Sequence, residues 1–395
     1  MVRPLMGDGS SSRISTSLNA ARPRIVFVTV EDWFFASHFL PMVAAARAAG
    51  LEPVVVTHVG RHGPAIEASG ARLVPLDVDR TRRGVFALLA EAGRLRAILR
   101  RERPAILHCI SLRSIVQGGL AARGLPRNVA PRGVFAVTGL GHLGVRLAHR
   151  PRAARAFGWT LRRLVGGRDA HFLLENPSDA EKLGLRRDGG RVTLVGGAGI
   201  DPARHPAHPL PPAPPLRVAI VARMVHSKGV EVAVEAVRTV HERGVPIALS
   251  LYGAPDPLNP RPIPEETLRA WSRHPTITWH GPTKDVDVVW QAHHAALVPS
   301  LGGEGLPRSL LEAAAAGRAI LTTRTPGNAD FVRDGVEGFV TAPGDAKPLA
   351  DALVRLAEHP DTLAEMGRAA RARVLDGYTI ADVEAVMRDL YRRLL

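Results

Sequence analysis

Short runs of β-branched and aromatic residues alternate along the chain with longer amphipathic stretches. In the first half these runs predict strands at 25–30, 53–57, 72–75, 105–108, 134–137 and 171–174. In the second half they predict strands at 217–221, 248–252, 276–279, 295–298, 319–322 and 338–340. Helical patterns lie between them, for example at 40–49 and 230–243, and residues 31–38 read as a loop. This alternation is typical of an α/β fold with parallel, doubly wound sheets.

A proline-rich segment separates the two series of strands. Seven of the fourteen residues from Pro202 to Pro215 are proline, which neither a helix nor a central strand tolerates. The pattern therefore divides the chain into a disordered tail at 1–23, a Rossmann-like domain at 24–201, a linker at 202–215, a second Rossmann-like domain at 216–378 and a C-terminal helix at 379–395. Ligands of such domains bind in the cleft at the carboxyl ends of the strands.

Length and composition fit two domains in a reducing compartment. A chain of 395 residues exceeds one ordinary hydrophobic core. Its single cysteine, Cys109, excludes an internal disulfide. Met1 to Arg24 lacks the apolar segment of a signal peptide, and no run approaches the roughly 18 apolar residues of a membrane span. We expect a cytoplasmic protein that is able to bind peripherally to the inner face of the plasma membrane.

Positive charge is concentrated in the first half of the chain. The formal net charge is +15; residues 1–200 contain 30 Lys and Arg against 14 Asp and Glu, whereas residues 201–395 contain 22 against 23. Such a basic field attracts nucleic acid, anionic lipid or a diphosphate-bearing acceptor. A basic platform with interleaved aromatic residues, which would indicate a nucleic-acid-binding protein, is missing from the sequence. We therefore expect an anionic membrane surface and no specific nucleic acid as partners.

Two carboxylates bracket a predicted turn in the second half. Glu304 precedes Pro307, which is suited to the first position of a helix, and Glu312 lies within that helix. The unpaired N–H groups of the first helical turn bind anions such as a diphosphate. One carboxylate on each side of an anion site suggests contacts with the two ends of a sugar–diphosphate–nucleoside.

The surrounding residues resemble a known family. Pro299 to Gly317, Pro326 to Asn328 and Gly335 to Phe339 are similar to the donor-binding core of the retaining glycosyltransferases of family 4. That resemblance implies the GT-B fold, in which two Rossmann-like domains face a central cleft. It also implies that Glu304 contacts the transferred sugar as the catalytic carboxylate and that Glu312 binds the ribose hydroxyls.

The resemblance extends to a predicted diphosphate site. Arg223 and Lys228 follow the first strand of the second domain, where the family carries an arginine and a lysine. Guanidinium and ammonium groups balance the charge that develops on a leaving diphosphate. The resemblance also directs the backbone near Gly305, Leu306 and Pro307 to that diphosphate. With these donors present we expect no metal and no cofactor.

Segments of the first half resemble a subset of the family that assembles bacterial surface polysaccharides on lipid carriers. These segments are Asp32 to His38, Gly118 to Ala122 and Val137 to Gly141. In that subset the donor is typically a UDP-sugar and the acceptor a sugar on a polyprenyl diphosphate. The residues expected on the acceptor side are Asp32, His38 and Gly139.

Further polar residues are candidates for the site. His108 ends a predicted strand where the family commonly has a histidine, so we expect a catalytic role, although Ile110 stands where many members carry a second one. The triplets Asp77–Asp79 and Asp285–Asp287 have the spacing of a divalent-metal site. We favour a helix-capping role for Asp285 over a metal role.

The sequence thus predicts a retaining glycosyltransferase that moves a sugar from a nucleotide sugar to a lipid-linked or glycan acceptor. A front-face substitution is expected, because no carboxylate is clearly placed as a covalent nucleophile. The alternatives are a GT-B nucleotide-sugar epimerase and a noncatalytic sugar-nucleotide-binding protein.

Overall fold

The structure is a computed structural model that describes residues 22–76, 84–141, 143, 150–165, 170–185 and 189–395. The first Asp-x-Asp triplet, Asp77–Asp79, lies outside the described residues, as does nearly all of the predicted tail at 1–23.

The N-terminal domain is built on a seven-stranded parallel sheet with the order β3-β2-β1-β4-β5-β6-β7. Its strands are β1 (Arg24–Glu31), β2 (Glu52–His58), β3 (Arg72–Pro75), β4 (Ile106–Ile110), β5 (Arg132–Val137), β6 (Ala170–Leu174) and β7 (Val192–Leu194). Both faces are covered: Val26 and Val28 of β1 pack into one core, and Ile25 and Phe27 into another. Burial on both faces explains why the strand is a continuous apolar run.

The helices of this domain connect successive strands. They span Asp32–His38, Leu40–Ala48, Gly63–Ala68, Val85–Glu102, Leu112–Arg123, Pro151–Val165 and Pro177–Lys182. The prediction of a loop at 31–38 is wrong, because Asp32–His38 is a short helix. Tertiary packing supports it: Phe35 is fully buried, and the Asp32 carboxylate accepts the Gly60 and His62 amides at 2.7 and 2.8 Å.

The C-terminal domain has a six-stranded parallel sheet with the order β10-β9-β8-β11-β12-β13. Its strands are β8 (Leu216–Val221), β9 (Ile247–Tyr252), β10 (Ile277–Gly281), β11 (Ala295–Val298), β12 (Ala319–Thr323) and β13 (Gly338–Thr341). The helices span Val230–Glu242, Glu265–Trp271, Val286–Ala292, Arg308–Ala315, Asn328–Phe331, Ala346–Glu358 and Pro360–Leu375. Two parallel α/β domains confirm the predicted fold class.

The proline-rich segment runs along the C-terminal domain. Arg318 is fully buried and donates through Nη2 to the carbonyl oxygens of His208 and Pro209, at 2.9 and 3.0 Å. The ring of His294 contacts the Pro211 carbonyl at 2.9 Å. Prolines supply no N–H for a sheet, so side chains from the domain bind the free carbonyl groups instead.

The last helix, Ile380–Arg393, returns to the N-terminal domain. Thr379 caps its first turn by accepting the Asp382 amide at 3.2 Å, and Asp382 accepts the Thr379 amide in return. The helix packs against Leu40–Ala48. Its Tyr391 is fully buried, with the hydroxyl 2.9 Å from Nδ1 of His108. The two domains are therefore joined at a second place besides the linker.

We predict that Tyr391→Phe lowers the free energy of unfolding by about 1–2 kcal/mol, because the buried His108 loses its hydrogen-bond partner. Urea denaturation monitored by fluorescence measures this change. Tyr378→Phe, at a partly exposed tyrosine nearby, is the control and should change stability by less. Equal effects of the two substitutions would contradict a stabilising role for the Tyr391–His108 bond.

Candidate functional site

A cavity of about 530 Å³ lies between the two domains. Its walls are formed by residues that follow strands: Val221 ends β8, Thr138 follows β5, and Glu175 follows β6. The carboxyl ends of both sheets therefore meet at this cavity, as expected for ligand sites in such folds.

The loop from Gly302 to Pro307, which we name the donor loop, crosses the floor of the cavity. Pro307 is the residue before helix Arg308–Ala315 and has extended geometry, with φ −63° and ψ 128°. Pro307 is therefore the N-cap and not the first helical residue that the sequence predicted, and the helix begins one residue later, at Arg308. Its carbonyl accepts the Leu310 amide at 3.1 Å, which starts the helix.

Lys228 and Glu304 face each other in the cavity. The Nζ of Lys228 lies 2.8 Å from Oε1 of Glu304, and the two side chains are 17% and 18% exposed. Lys228 ends a single turn of 3-10 helix, His226–Lys228, which follows β8. The structure thus brings together Lys228, predicted to bind the diphosphate, and Glu304, the predicted catalytic carboxylate.

Two further arginine–carboxylate pairs line or border the cavity. Arg223 Nη1 lies 2.6 Å from Oδ2 of Asp256, and Arg308 Nε lies 2.8 Å from Oε1 of Glu312. Arg308 also donates to the carbonyl of Ser37 in the other domain. Arg223, Lys228, Glu304 and Glu312, all predicted from the sequence, therefore line one cavity.

The domains approach each other at glycines of the donor loop. The Gly141 amide donates to the Gly303 carbonyl at 2.8 Å. A Cβ on Gly139 would lie 2.5 Å from the Gly305 nitrogen, and a Cβ on Gly303 would lie 2.0 Å from the Gly141 oxygen. Side chains at these positions are incompatible with the observed contact. Gly139, predicted on the acceptor side, does line the cavity.

Glu175 and Asn176 are site residues that the sequence reasoning missed. Glu175 Oε2 accepts the Leu306 amide at 2.9 Å, and Asn176 Nδ2 donates to the Gly305 carbonyl at 3.0 Å. Burial, with Asp179 and Glu304 nearby, raises the pKa of Glu175 to about 8. The sequence feature that could have indicated them is their position directly after strand β6, at the carboxyl edge of the sheet. Gly305, Leu306 and Pro307 line the cavity. The Leu306 amide, predicted to face a diphosphate, donates to Glu175 instead.

His38 lines the N-terminal wall of the cavity. The Ser37 hydroxyl lies 2.7 Å from the Trp33 carbonyl and 2.6 Å from Nδ1 of His38. We assign the single Ser37 proton to the Trp33 carbonyl, so that the His38 Nδ1–H donates to the Ser37 oxygen. This tautomer leaves Nε2 as a hydrogen-bond acceptor. Burial and the positive charges of Arg308 and Lys228 lower the pKa of His38 to about 4, so the ring is neutral at pH 7.

Two predicted site residues do not reach the cavity. His108 is fully buried between Phe27 and Tyr391, and burial lowers its pKa to about 3. The predicted catalytic contact of His108 is therefore not made. Asp32 is also buried, and its carboxylate is occupied by the Gly60 and His62 amides. Asp32 holds a loop of the N-terminal domain and is not an acceptor contact here.

The second Asp-x-Asp triplet has structural partners. Asp285 caps helix Val286–Ala292 by accepting the Asp287 amide at 3.0 Å, and Asp287 lies 3.0 Å from His208. Among the described residues, no group of three or more His, Cys, Asp or Glu is arranged to hold a metal ion. Within the same residues, the helices are all too short or too polar to span a membrane.

A second cavity of about 540 Å³ adjoins the first through Arg223 and Val221. Tyr252 lies on its wall and stacks on His280, with ring centroids 4.5 Å apart and an interplanar angle of 7°. Pro282 and Thr283 form the opposite part of the wall. The two cavities together form an elongated cleft with Arg223 at the junction.

Comparison with known families supports this architecture domain by domain. Residues 24–158 match the family model described as "Glycosyl transferase 4-like", and residues 215–359 match the one described as "Glycosyl transferases group 1". The matched ranges fall in the N-terminal and C-terminal domains, respectively.

Curated relatives match part of the chain. The putative colanic acid biosynthesis glycosyltransferase WcaL of Escherichia coli is 29% identical over 204 residues, which cover 49% of this chain and 48% of WcaL. The amylovoran biosynthesis glycosyltransferase AmsK of Erwinia amylovora is 28% identical over 167 residues, which cover 40% of each chain. The chain therefore spans about half the length, or less, of the curated relatives that it matches.

Solved structures share the whole fold. The sucrose-phosphate synthase of Thermosynechococcus elongatus superimposes with a TM-score of 0.75 at 19% identity, covering 94% of this chain and 99% of the other. Anabaena HepE, solved in complex with UDP-glucose, gives a TM-score of 0.72 at 13% identity over 94% and 99%. The chain therefore has the GT-B fold of two parallel α/β domains, and each domain matches a glycosyltransferase family model. Its curated relatives WcaL and AmsK are polysaccharide-biosynthesis glycosyltransferases.

We predict that Gly303→Ala opens the contact between the domains and destabilises the protein by about 2 kcal/mol more than Gly244→Ala. Gly303 and Gly244 have similar backbone conformations, with φ of 80° and 79°. A Cβ added to Gly303 would clash with the Gly141 oxygen, whereas one added to Gly244 would have no atom within 4 Å. The control therefore carries the backbone strain without the steric clash. Urea denaturation measures stability, and amide hydrogen exchange at Gly141 measures the contact. Unchanged protection of the Gly141 amide in Gly303→Ala would contradict the expectation.

Proposed function

We propose that the protein is a retaining glycosyltransferase that transfers a sugar from a nucleotide sugar, a UDP-sugar in the first instance, to a lipid-linked or glycan acceptor in surface-polysaccharide synthesis. The observation that carries this proposal is that Arg223, Lys228, Glu304 and Glu312 line one interdomain cavity. The names of WcaL and AmsK, and the UDP-glucose in the HepE structure, support the pathway and the donor class.

The donor would lie along the elongated cleft. Its diphosphate fits between Arg223 and Lys228 on one side and the start of helix Arg308–Ala315 on the other, where cations and free N–H groups favour an anion. The base then points to the second cavity, Glu312 binds the ribose hydroxyls, and Glu304 contacts the sugar. The Lys228–Glu304 pair keeps both side chains in the cavity before the donor binds. When the donor binds, Lys228 turns to the phosphate and Glu304 accepts a hydrogen bond from a sugar hydroxyl.

The proposed chemistry is a front-face substitution. The bond between the anomeric carbon and the diphosphate oxygen breaks, and the acceptor oxygen bonds to that carbon on the same face. The acceptor proton passes to the departing phosphate oxygen. Arg223 and Lys228 stabilise the negative charge that develops there, which lowers the barrier without a cofactor. Neutral His38, on the opposite wall, accepts a hydrogen bond from an acceptor hydroxyl.

We predict that Glu304→Ala lowers kcat/KM at least about 100-fold while the fold is retained, because a contact to the reacting sugar is lost. The assay supplies nucleotide sugars one at a time with a membrane extract and identifies lipid-linked products by mass spectrometry. A transferred sugar distinguishes this activity from epimerisation, in which only the free nucleotide sugar changes. Near-native turnover by Glu304→Ala would remove Glu304 from the mechanism.

We predict that Arg223→Ala and Lys228→Ala each weaken UDP binding about 10- to 100-fold, because one charge-assisted hydrogen bond is lost. Lys347→Ala is the matched control, because Lys347 is exposed and pairs with Asp351 at the surface. Calorimetry measures the dissociation constants.

We also propose that the N-terminal domain binds an anionic membrane surface, on the inner face of the plasma membrane. Thirteen arginines and one acidic residue, Glu102, lie between Arg101 and Arg168. Large apolar side chains are exposed in the same domain: Phe86 is 88% and Trp159 is 56% accessible. Basic charge beside exposed aromatic rings is typical of peripheral membrane binding.

We predict that the protein sediments with vesicles containing phosphatidylglycerol and much less with phosphatidylcholine alone, and that 0.5 M NaCl releases it. The double substitution Phe86→Ala, Trp159→Ala should weaken vesicle binding several-fold. Leu258→Ala is the control, since Leu258 is 45% exposed on the C-terminal domain. Binding that is independent of lipid charge would contradict this proposal.

A further inference from the structure

The segment Glu175–Asp179 of the N-terminal domain packs against the donor loop. Besides the bonds from Glu175 to the Leu306 amide and from Asn176 to the Gly305 carbonyl, the Ser178 hydroxyl lies 3.0 Å from Oδ1 of Asp330. Asn176 is itself fixed, because its Oδ1 accepts the Asp179 amide at 2.8 Å. One short segment thus touches both the donor loop and helix Asn328–Phe331 from the opposite domain.

Packing leaves the donor loop little freedom there. A Cβ on Gly305 would lie 2.0 Å from Oε2 of Glu175, and a Cβ on Gly327 would lie 1.5 Å from the Gly305 oxygen. Gly305 is therefore held between Glu175 on one side and Gly327 on the other. The conformation of the Gly305–Leu306 peptide depends on a carboxyl group of the other domain.

We propose that Glu175 is a positioning residue for donor binding: its uncharged carboxyl group holds the Leu306 amide and shapes the donor loop, and ionisation of that group expels the nucleotide diphosphate. The inference rests on the proposed function, because it requires a nucleotide diphosphate in the cavity. It goes beyond that function because it makes the affinity for the donor depend on the protonation of the Glu175 carboxyl group at the domain interface.

The electrostatic surroundings explain why the carboxyl group is uncharged at neutral pH. The charged groups that act on it are Asp179, on its own segment, and Glu304. The other titratable groups that line the two cavities it borders are His38, Arg223, His226, Lys228, Arg261, Arg308, Glu312, Asp330, Asp376 and Tyr378. Lys228 and Arg308 are engaged by Glu304 and Glu312. Burial, Asp179 and Glu304 raise the pKa of Glu175 to about 8, against the opposing effect of the Leu306 amide.

The direction of the pH effect follows from this. Below pH 8 the group is neutral and the diphosphate meets no extra negative charge. Above pH 8 a carboxylate forms beside the phosphate site, so donor affinity falls by up to tenfold for each further pH unit. UDP is a suitable probe, since its phosphates are already ionised at pH 7.

The experiment is calorimetric titration of UDP at pH 7, 8 and 9 into the native protein and three variants. The native Kd should rise about tenfold between pH 7 and 9. Glu175→Gln keeps the amide acceptor without an ionisable group, so its Kd should stay within about twofold across the range. Glu175→Ala should bind UDP about fivefold more weakly at pH 7, where the native group is uncharged. Near-native binding by Glu175→Gln at that pH would show that the loss comes from the missing hydrogen-bond acceptor.

Glu181→Gln is the matched control, because Glu181 is an exposed glutamate of the adjoining helix. It should reproduce the native pH profile. UDP binding with the same pH dependence in native protein and Glu175→Gln would overturn this inference and leave the proposed function standing. Failure of UDP, GDP and ADP to bind at any pH would overturn the proposed function and this inference together.

A second measurement needs no ligand. The folded-state pKa of Glu175 is raised from 4.5 to about 8, so the unfolded chain loses this proton first as the pH rises. The contribution of Glu175 to stability therefore falls between about pH 4.5 and pH 8. Relative to the native protein, the Tm of Glu175→Gln should rise by about 2 °C or more from pH 5.5 to pH 8.5. A constant difference in Tm would show that Glu175 is ionised throughout and would overturn the inference.

Discussion

Backbone contact between the two domains at glycines is the constraint on which the cleft depends. Gly139 and Gly141 of one domain lie against Gly303 and Gly305 of the other, at distances that exclude a Cβ on Gly139, Gly303 or Gly305. Because no side chains separate the two loops, neither domain alone determines the shape of the donor loop. The same contact places the carboxyl ends of both sheets around one cavity and positions Glu304, which lies between Gly303 and Gly305.

Carboxylates pair with three of the cations that line the cavity. Lys228, Arg223 and Arg308 each pair with a carboxylate, at 2.8, 2.6 and 2.8 Å. Such pairs lower the cost of holding cations in a partly buried site, and they exchange readily when a stronger anion arrives. In the donor complex that we propose, a diphosphate would take over the cations from the carboxylates, and the released carboxylates would accept hydrogen bonds from hydroxyl groups. This exchange would link diphosphate binding to recognition of the sugar and ribose.

The sequence predicted most of the architecture because strands buried on both faces are continuous apolar runs, as in Arg24–Glu31. The three-residue strand Val192–Leu194 was missed because it is short and only partly buried. The residues predicted for the donor side, which line one cavity, could be selected from the sequence because they cluster in motifs. His108 was placed wrongly because a strand pattern does not show that Tyr391, 283 residues away, covers it. Glu175 was missed because its partner Leu306 is 131 residues away and is brought near only by domain contact.

The most direct test of the account is a crystal structure of the protein with bound UDP-sugar. The account predicts phosphate oxygens within hydrogen-bonding distance of Arg223 and Lys228, the ribose hydroxyls on Glu312, and Glu304 released from Lys228 onto the sugar. A nucleotide bound elsewhere, or bound in this cavity with the Lys228–Glu304 and Arg223–Asp256 pairs intact, would contradict it.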